Sequence, residues 1–220
     1  MSDRSPYASV ARIRKKKQRT LRDDSTEEME KWRVYWADAG VIRFTEEFLR
    51  CPEGVPEHPV LGVIPEHIIL SDDERTFLSD ITSGKVTRFI VSGARGCGKS
   101  FIVAVYVCWR ICCFDGFTIT VMGGSAEQSE KEKEYVDFWR DMHPEVFFCL
   151  PKSQGGGNRT ARILSRWRSY ARFPSCSDTS ARGPHVTQVI VDEAGVGEAK
   201  NKGGAKAIKS VRYQLAASKD

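Results

Sequence analysis

Eight consecutive residues, Gly93-Ala94-Arg95-Gly96-Cys97-Gly98-Lys99-Ser100, combine three glycines with a lysine and a hydroxyl. The run matches G-x-x-x-x-G-K-[ST] at every fixed position. That spacing suits a polyphosphate. Glycines let the backbone curl so that successive N–H groups point at phosphate oxygens. Gly98, Lys99 and Ser100 then enter a helix N-terminus, whose partial positive charge favours an anion. Lys99 is expected to reach the β- and γ-phosphates, and the Ser100 hydroxyl to ligate Mg²⁺.

A second group lies further along. Val189-Ile190-Val191-Asp192-Glu193 reads as an apolar strand ending in two carboxylates. A buried strand that stops in Asp-Glu delivers both acids to the carboxyl edge of a sheet, where a phosphate loop also sits. Asp192 is expected to hold Mg²⁺ through its water shell. Glu193 is expected to orient and polarise the attacking water. Between Ser100 and Asp192 there is room for a complete strand–helix unit, as in an ATPase with an extra strand between loop and acidic strand. A small-molecule kinase needs no Glu directly after the Asp. The pair therefore points to ATP hydrolysis driving mechanical work.

The surrounding texture positions these groups. Val86–Ser92 is a short β-branched run, expected as the strand before the loop. Lys99–Phe114 has helical length and is strongly apolar, a buried helix. Phe117–Met122 reads as a strand, Ser125–Met142 as a charged amphipathic helix, and Val146–Leu150 as a strand. Residues 161–174 alternate as a strand or hairpin, and Thr187–Asp192 is a last strand. Strands alternating with helices predict an α/β P-loop NTPase, a doubly wound and mainly parallel sheet with helices on both faces. Upstream, residues 25–50 read as helix, split at Gly40. Ser71 with Glu74 resembles a capping box opening a helix to about Thr82.

Charge gives the domain plan. The chain has 220 residues, 34 basic and 29 acidic, a net charge of +5. Residues 1–24 hold eight basic and three acidic side chains, so the whole excess sits there. That segment has too few apolar residues to offset its ordering entropy, and reads as a disordered basic tail. The plan is then a tail at 1–24, a helical lead-in with a proline-rich wrapping loop at 25–85, an ATPase core at 86–195, and a Lys/Gly/Ala-rich tail at 196–220. Phe101–Trp109, closed by Arg110, is the longest apolar run. It is about half of the ~20 residues a membrane helix needs, and no apolar segment follows the N-terminal charges as in a secretory signal. Seven cysteines without a CxxC pair argue against zinc and a disulfide framework. The expectation is a cytoplasmic, non-membrane protein.

Taken together, four features resemble the ATPase half of the large terminase subunit, the viral DNA-packaging motor. They are the Arg-bearing phosphate loop, the strand and helix around Gly124-Ser125-Ala126-Glu127-Gln128, the Ala181-Arg182-Gly183 tripeptide, and Val-Ile-Val-Asp-Glu-Ala at 189–194. The Trp32…Tyr35-Trp36…Phe44…Phe48 segment is similar to the helical lead-in of some members. The resemblance runs over roughly residues 30–195. It implies a motor using ATP and Mg²⁺ to move double-stranded DNA into a capsid, as a homo-oligomeric ring working with a portal and a small terminase subunit. It implies that Arg95 touches the γ-phosphate in cis and that Arg182 reaches a neighbouring subunit's nucleotide. Arginine fingers of this kind spread transition-state charge over a planar fork. Where the family reads adenine with a glutamine before the first strand, the nearest candidate here is Glu74. The family continues into a coupling strand and a nuclease domain, which cannot fit in the 27 residues after Glu193. The chain therefore reads as a truncated or split product, or as an ATPase core completed by another polypeptide, and no nuclease activity is expected from it.

Two other readings stay open: a helicase-like or other DNA-translocating ATPase, and a nucleotide- or DNA-binding module with little catalysis. Residues 152–182 hold seven basic residues and one acid, with Trp167, Tyr170 and Phe173 interleaved. That composition suits backbone contacts plus base stacking, with Arg166, Trp167 and Arg168 the first candidates for DNA contact. A solvent-facing hairpin with its aromatics packed down explains the same residues. Cys97 reads as a small residue that fits the loop, Cys108 and Cys112 as core. His58, His67, His143 and His185 show no ligand spacing.

Overall fold

The computed structural model describes residues 26–49, 61, 66–84, 98–123, 126–154, 161–174 and 186–191. The strand expected at 86–92 and both expected tails lie outside them.

Helix α1 (Thr26–Arg43) opens with Glu27 and Glu28 in its first turn, where negative charge suits the helix dipole. Gly40 interrupts it at φ 83°, ψ 164°, a conformation that side chains with a Cβ rarely adopt. The split expected at this residue is therefore a kink. A π-helical turn, Phe44–Phe48, follows. The kink folds Phe44 and Phe48 back onto Trp32 and Trp36, with ring centroids 5.1–6.2 Å apart. Helix α2 (Asp72–Ser83) carries the expected capping box in full. Ser71 Oγ accepts from the Glu74 backbone N–H, and the Glu74 carboxylate accepts from the Ser71 N–H.

Helix α3 (Lys99–Cys113) is buried from Ile102 through Trp109 and again over Ile111–Cys113. A four-residue connection leads into strand β1 (Thr118–Met122). Helix α4 spans Ala126–Met142 and a short helix α5 spans Pro144–Cys149. Strands β2 (Lys152–Gln154), β3 (Ala161–Leu164), β4 (Tyr170–Phe173) and β5 (Gln188–Val191) complete the sheet. The strand expected at 146–150 is thus a helix. His143 takes an extended conformation and ends α4, and Pro144 sits in the first turn of α5, where its missing N–H leaves no bond unmade.

The strand order is β2-β3-β4-β1-β5. β4, β1 and β5 run parallel, while β2, β3 and β4 are antiparallel. The expected mainly parallel sheet is therefore parallel on one side and a meander on the other. Ile119, Val121, Ala161, Ile163, Ala171 and Phe173 share one face and join the residues of α3 and α4 in a single core. The helices that pack on the sheet among the described residues pack on that face. Cys108, Cys112, Cys113 and Cys149 are free thiols in this core. Burial, with hydrogen bonds to Cys108 and Cys149, pushes the Cys112 thiol well up. None of the described helices is long and apolar enough to cross a membrane.

Candidate functional site

Helix α3 is the element that bears the end of the phosphate-loop motif. Gly98 stands at its N-cap with φ 81° and ψ 5°, a left-handed conformation that glycine adopts without steric cost. Its carbonyl accepts the Ile102 N–H at 3.0 Å. A Cβ built on Gly98 would lie 3.2 Å from Glu74 Oε1. The backbone angle thus calls for glycine here, and a Cβ would in addition press on the Glu74 carboxylate. No side chain caps the helix at this position. Lys99 and Ser100 lie in the first turn, at the end of the helix that carries the positive pole of its dipole.

The topology sets where this helix end lies. α3 finishes where β1 begins, so it runs antiparallel to β1 and to the parallel β5. Tyr106 Oη donates to Gln188 Oε1 at 2.6 Å, tying the middle of the helix to the start of β5. From Tyr106 back to Lys99 is about 10 Å of helix. From Gln188 forward to Val191 is about 10 Å of strand. The Lys99 end of α3 and the Val191 end of β5 therefore reach the same, carboxyl edge of the sheet.

That edge is fastened by a residue the motifs do not announce. Ser129, on α4 and fully buried, accepts the Gly123 N–H at 2.7 Å and donates to the Pro174 carbonyl at 2.8 Å. It joins the residues following β1 and β4 to the first turns of α4. The only hint in the sequence is a small hydroxyl residue at the start of a helix, too common a pattern to single out.

Of the expected site residues, Gly98, Lys99 and Ser100 are described, at the N-cap and in the first turn of α3. Gly93, Ala94, Arg95, Gly96, Cys97, Arg182, Asp192 and Glu193 lie outside the described residues. Glu74, the candidate for base reading, has one carboxylate oxygen in the α2 capping box and the other against Gly98. Arg166, Trp167 and Arg168 form the turn between β3 and β4, and each has a protein partner. Arg166 Nε donates to the Phe148 carbonyl at 2.7 Å, with its guanidinium 4.3 Å from the centre of the Phe148 ring. Arg33 lies over the Trp167 ring. Arg168 pairs with Asp115 at 2.7 Å, which holds the Asp115 carboxyl below its ordinary range. Trp167 is half-buried, while Arg166 and Arg168 remain exposed.

No known family's sequence profile matches the chain, and no curated protein matches it. Among solved structures, the crystal structure of the HK97 bacteriophage large terminase matches with a TM-score of 0.62 at 16% identity. The fold is similar to that of a large terminase. The match covers 81% of this chain and 35% of the terminase chain. At that identity the likeness speaks for the fold.

Proposed function

We propose that this chain is a terminase-like motor domain that hydrolyses ATP and couples hydrolysis to the packaging of double-stranded DNA. The observation that carries the reading is the left-handed Gly98 N-cap of α3, with Lys99 and Ser100 in the first turn, at the sheet edge where β5 also ends, within a terminase-like fold. The donor set fits a nucleotide bound with Mg²⁺: a helix N-terminus capped by glycine, a lysine and a hydroxyl in its first turn, and two carboxylates next in sequence after β5.

In this reading the amides of Gly93–Ser100 cradle the phosphates, and Lys99 binds the β- and γ-phosphates. Ser100 and Asp192 would hold Mg²⁺, which when bound neutralises charge between those phosphates. Glu193 orients a water for attack on the γ-phosphorus and takes its proton. Arg95, in cis, and Arg182, from an adjacent subunit of a ring, stabilise the charge that develops on the phosphoryl oxygens. A portal and a small terminase subunit are the partners this function would need.

Two variants test it. Lys99→Ala should lose ATP binding by calorimetry. Glu193→Gln should bind ATP as wild type does and lose turnover by about 10²–10⁴-fold, the usual contribution of a general base. Equal phosphate release from wild type and Glu193→Gln would remove Glu193 from the mechanism.

A further inference from the structure

The sheet face turned away from the core carries a row of cations. Register places Gln154, Arg162, Arg172 and Thr120 side by side across β2, β3, β4 and β1. Lys152, Leu164, Tyr170 and Thr118 form the next row. Strands lie about 4.8 Å apart and same-face rows about 7 Å apart. These eight positions hold three cations and no carboxylate. Lys152, Gln154 and Arg162, towards the β2 edge, are exposed; Leu164, Tyr170, Arg172 and Thr118 are half-buried, and Thr120 is buried.

Arg162 and Arg172 sit directly opposite each other in an antiparallel pair. Like charges so placed destabilise a sheet. Arg162 is held by Gln154, whose Oε1 accepts from Nε at 2.7 Å. That contact leaves the two terminal amino groups of Arg162 without a hydrogen bond to another described residue. Among the described residues, neither arginine nor Lys152 is in an ion pair. The contrast with the adjoining turn is direct. Arg166 and Arg168 have a carbonyl and a carboxylate to hold them, whereas this pair has a like charge as its neighbour.

We infer that this face is a docking surface for the phosphate backbone of duplex DNA, with Arg162 and Arg172 contacting adjacent phosphates and Lys152 flanking them. A repeating anion offsets the cross-strand repulsion, and a guanidinium binds phosphate through parallel N–H groups. The choice of duplex DNA among polyanions rests on the function proposed above. Tyr170, half-buried instead of standing out as a stacking platform, favours backbone contact over the capture of splayed bases.

The test is a salt titration of full-length protein on a random-sequence DNA duplex, read by fluorescence anisotropy. Each phosphate contact contributes about 0.9 to the slope of log K against log salt. Arg162→Ala with Arg172→Ala should lower that slope by roughly 1.8 and weaken binding by about tenfold per arginine near 0.1 M salt. The paired lysine variant should restore most of the slope, and Arg168→Ala should leave it unchanged. An unchanged slope and affinity in the paired alanine variant, with its thermal melt intact, overturns the inference. So does a single strand that binds as well as the duplex with the same dependence on the two arginines. ATP turnover with DNA binding indifferent to Arg162 and Arg172 sinks this inference alone. Arginine-dependent DNA binding without turnover sinks the hydrolytic reading alone.

Discussion

The two sides of the sheet solve different problems with the same backbone. In β1, at the centre of the parallel side, Ile119, Thr120, Val121 and Met122 are all buried, so both faces of the strand are dry. In β3, on the antiparallel side, Ala161 and Ile163 are buried while Arg162 is exposed. A parallel strand covered on both faces reads as a continuous apolar run, and an antiparallel strand with one wet face alternates. The dry side gives a rigid floor at whose edge α3 presents Lys99 and Ser100. The wet side exposes Lys152, Gln154 and Arg162. One core thus supports two surfaces of different chemistry.

If that division is right, damage to the covered layer should be severe. Trp139 is fully buried on α4 and packs against Phe101 and Tyr135. Trp139→Ala should cost about 3–5 kcal/mol, read by denaturant unfolding. A loss under about 1 kcal/mol would mean that α4 is not part of the core. Ser129→Ala comes next. It leaves the Gly123 N–H and the Pro174 carbonyl without this partner, for about 2 kcal/mol, and should raise hydrogen exchange at Gly123. Gly98→Ala places a Cβ in a left-handed conformation, for about 1–2 kcal/mol. Nucleotide binding should weaken more than stability does. Arg162→Ala, on the wet side, should change stability by less than about 0.5 kcal/mol. A large loss there would erase the distinction between the two sides.

A pH series sharpens the same contrast. Burial raises the Cys112 thiol above its ordinary value of 9.0, so the folded chain keeps a proton that the unfolded chain releases. The stability this contributes is complete below about pH 9 and is lost as pH rises further. Melting temperature should therefore fall more steeply above pH 9 in wild type than in Cys112→Ala, relative to each protein's value at pH 7. Parallel falls would mean that the thiols of α3 and α5 are solvated.

The end of the glycine-rich run was legible because its signal is local. Three glycines, a lysine and a hydroxyl lie within eight residues, and the Gly98 geometry and the helix at Lys99 follow directly from them. The α2 cap, with its whole signature in four residues, was equally readable. Val146–Leu150 was misread because a short apolar run has no decisive period, and Pro144 two residues ahead decides for helix. β2 escaped notice because three polar residues become a strand only through pairing with β3. The role of Ser129 is invisible for a related reason, since its acceptor at Pro174 lies 45 residues away. The Arg162–Arg172 pairing likewise exists only once β3 and β4 are in register.

The far end of α3 has a consequence of its own. The Cys113 carbonyl accepts from Arg33 at 3.1 Å, and Trp109 Nε1 donates to the Trp36 carbonyl at 2.9 Å. The lead-in thus clamps the foot of a rod whose head bears Lys99. A rod held at its foot and packed along its flanks cannot swing to meet a guest. The ordering entropy of its head is already spent when the chain folds, so the nucleotide binding proposed above would draw little further on the conformational freedom of this helix.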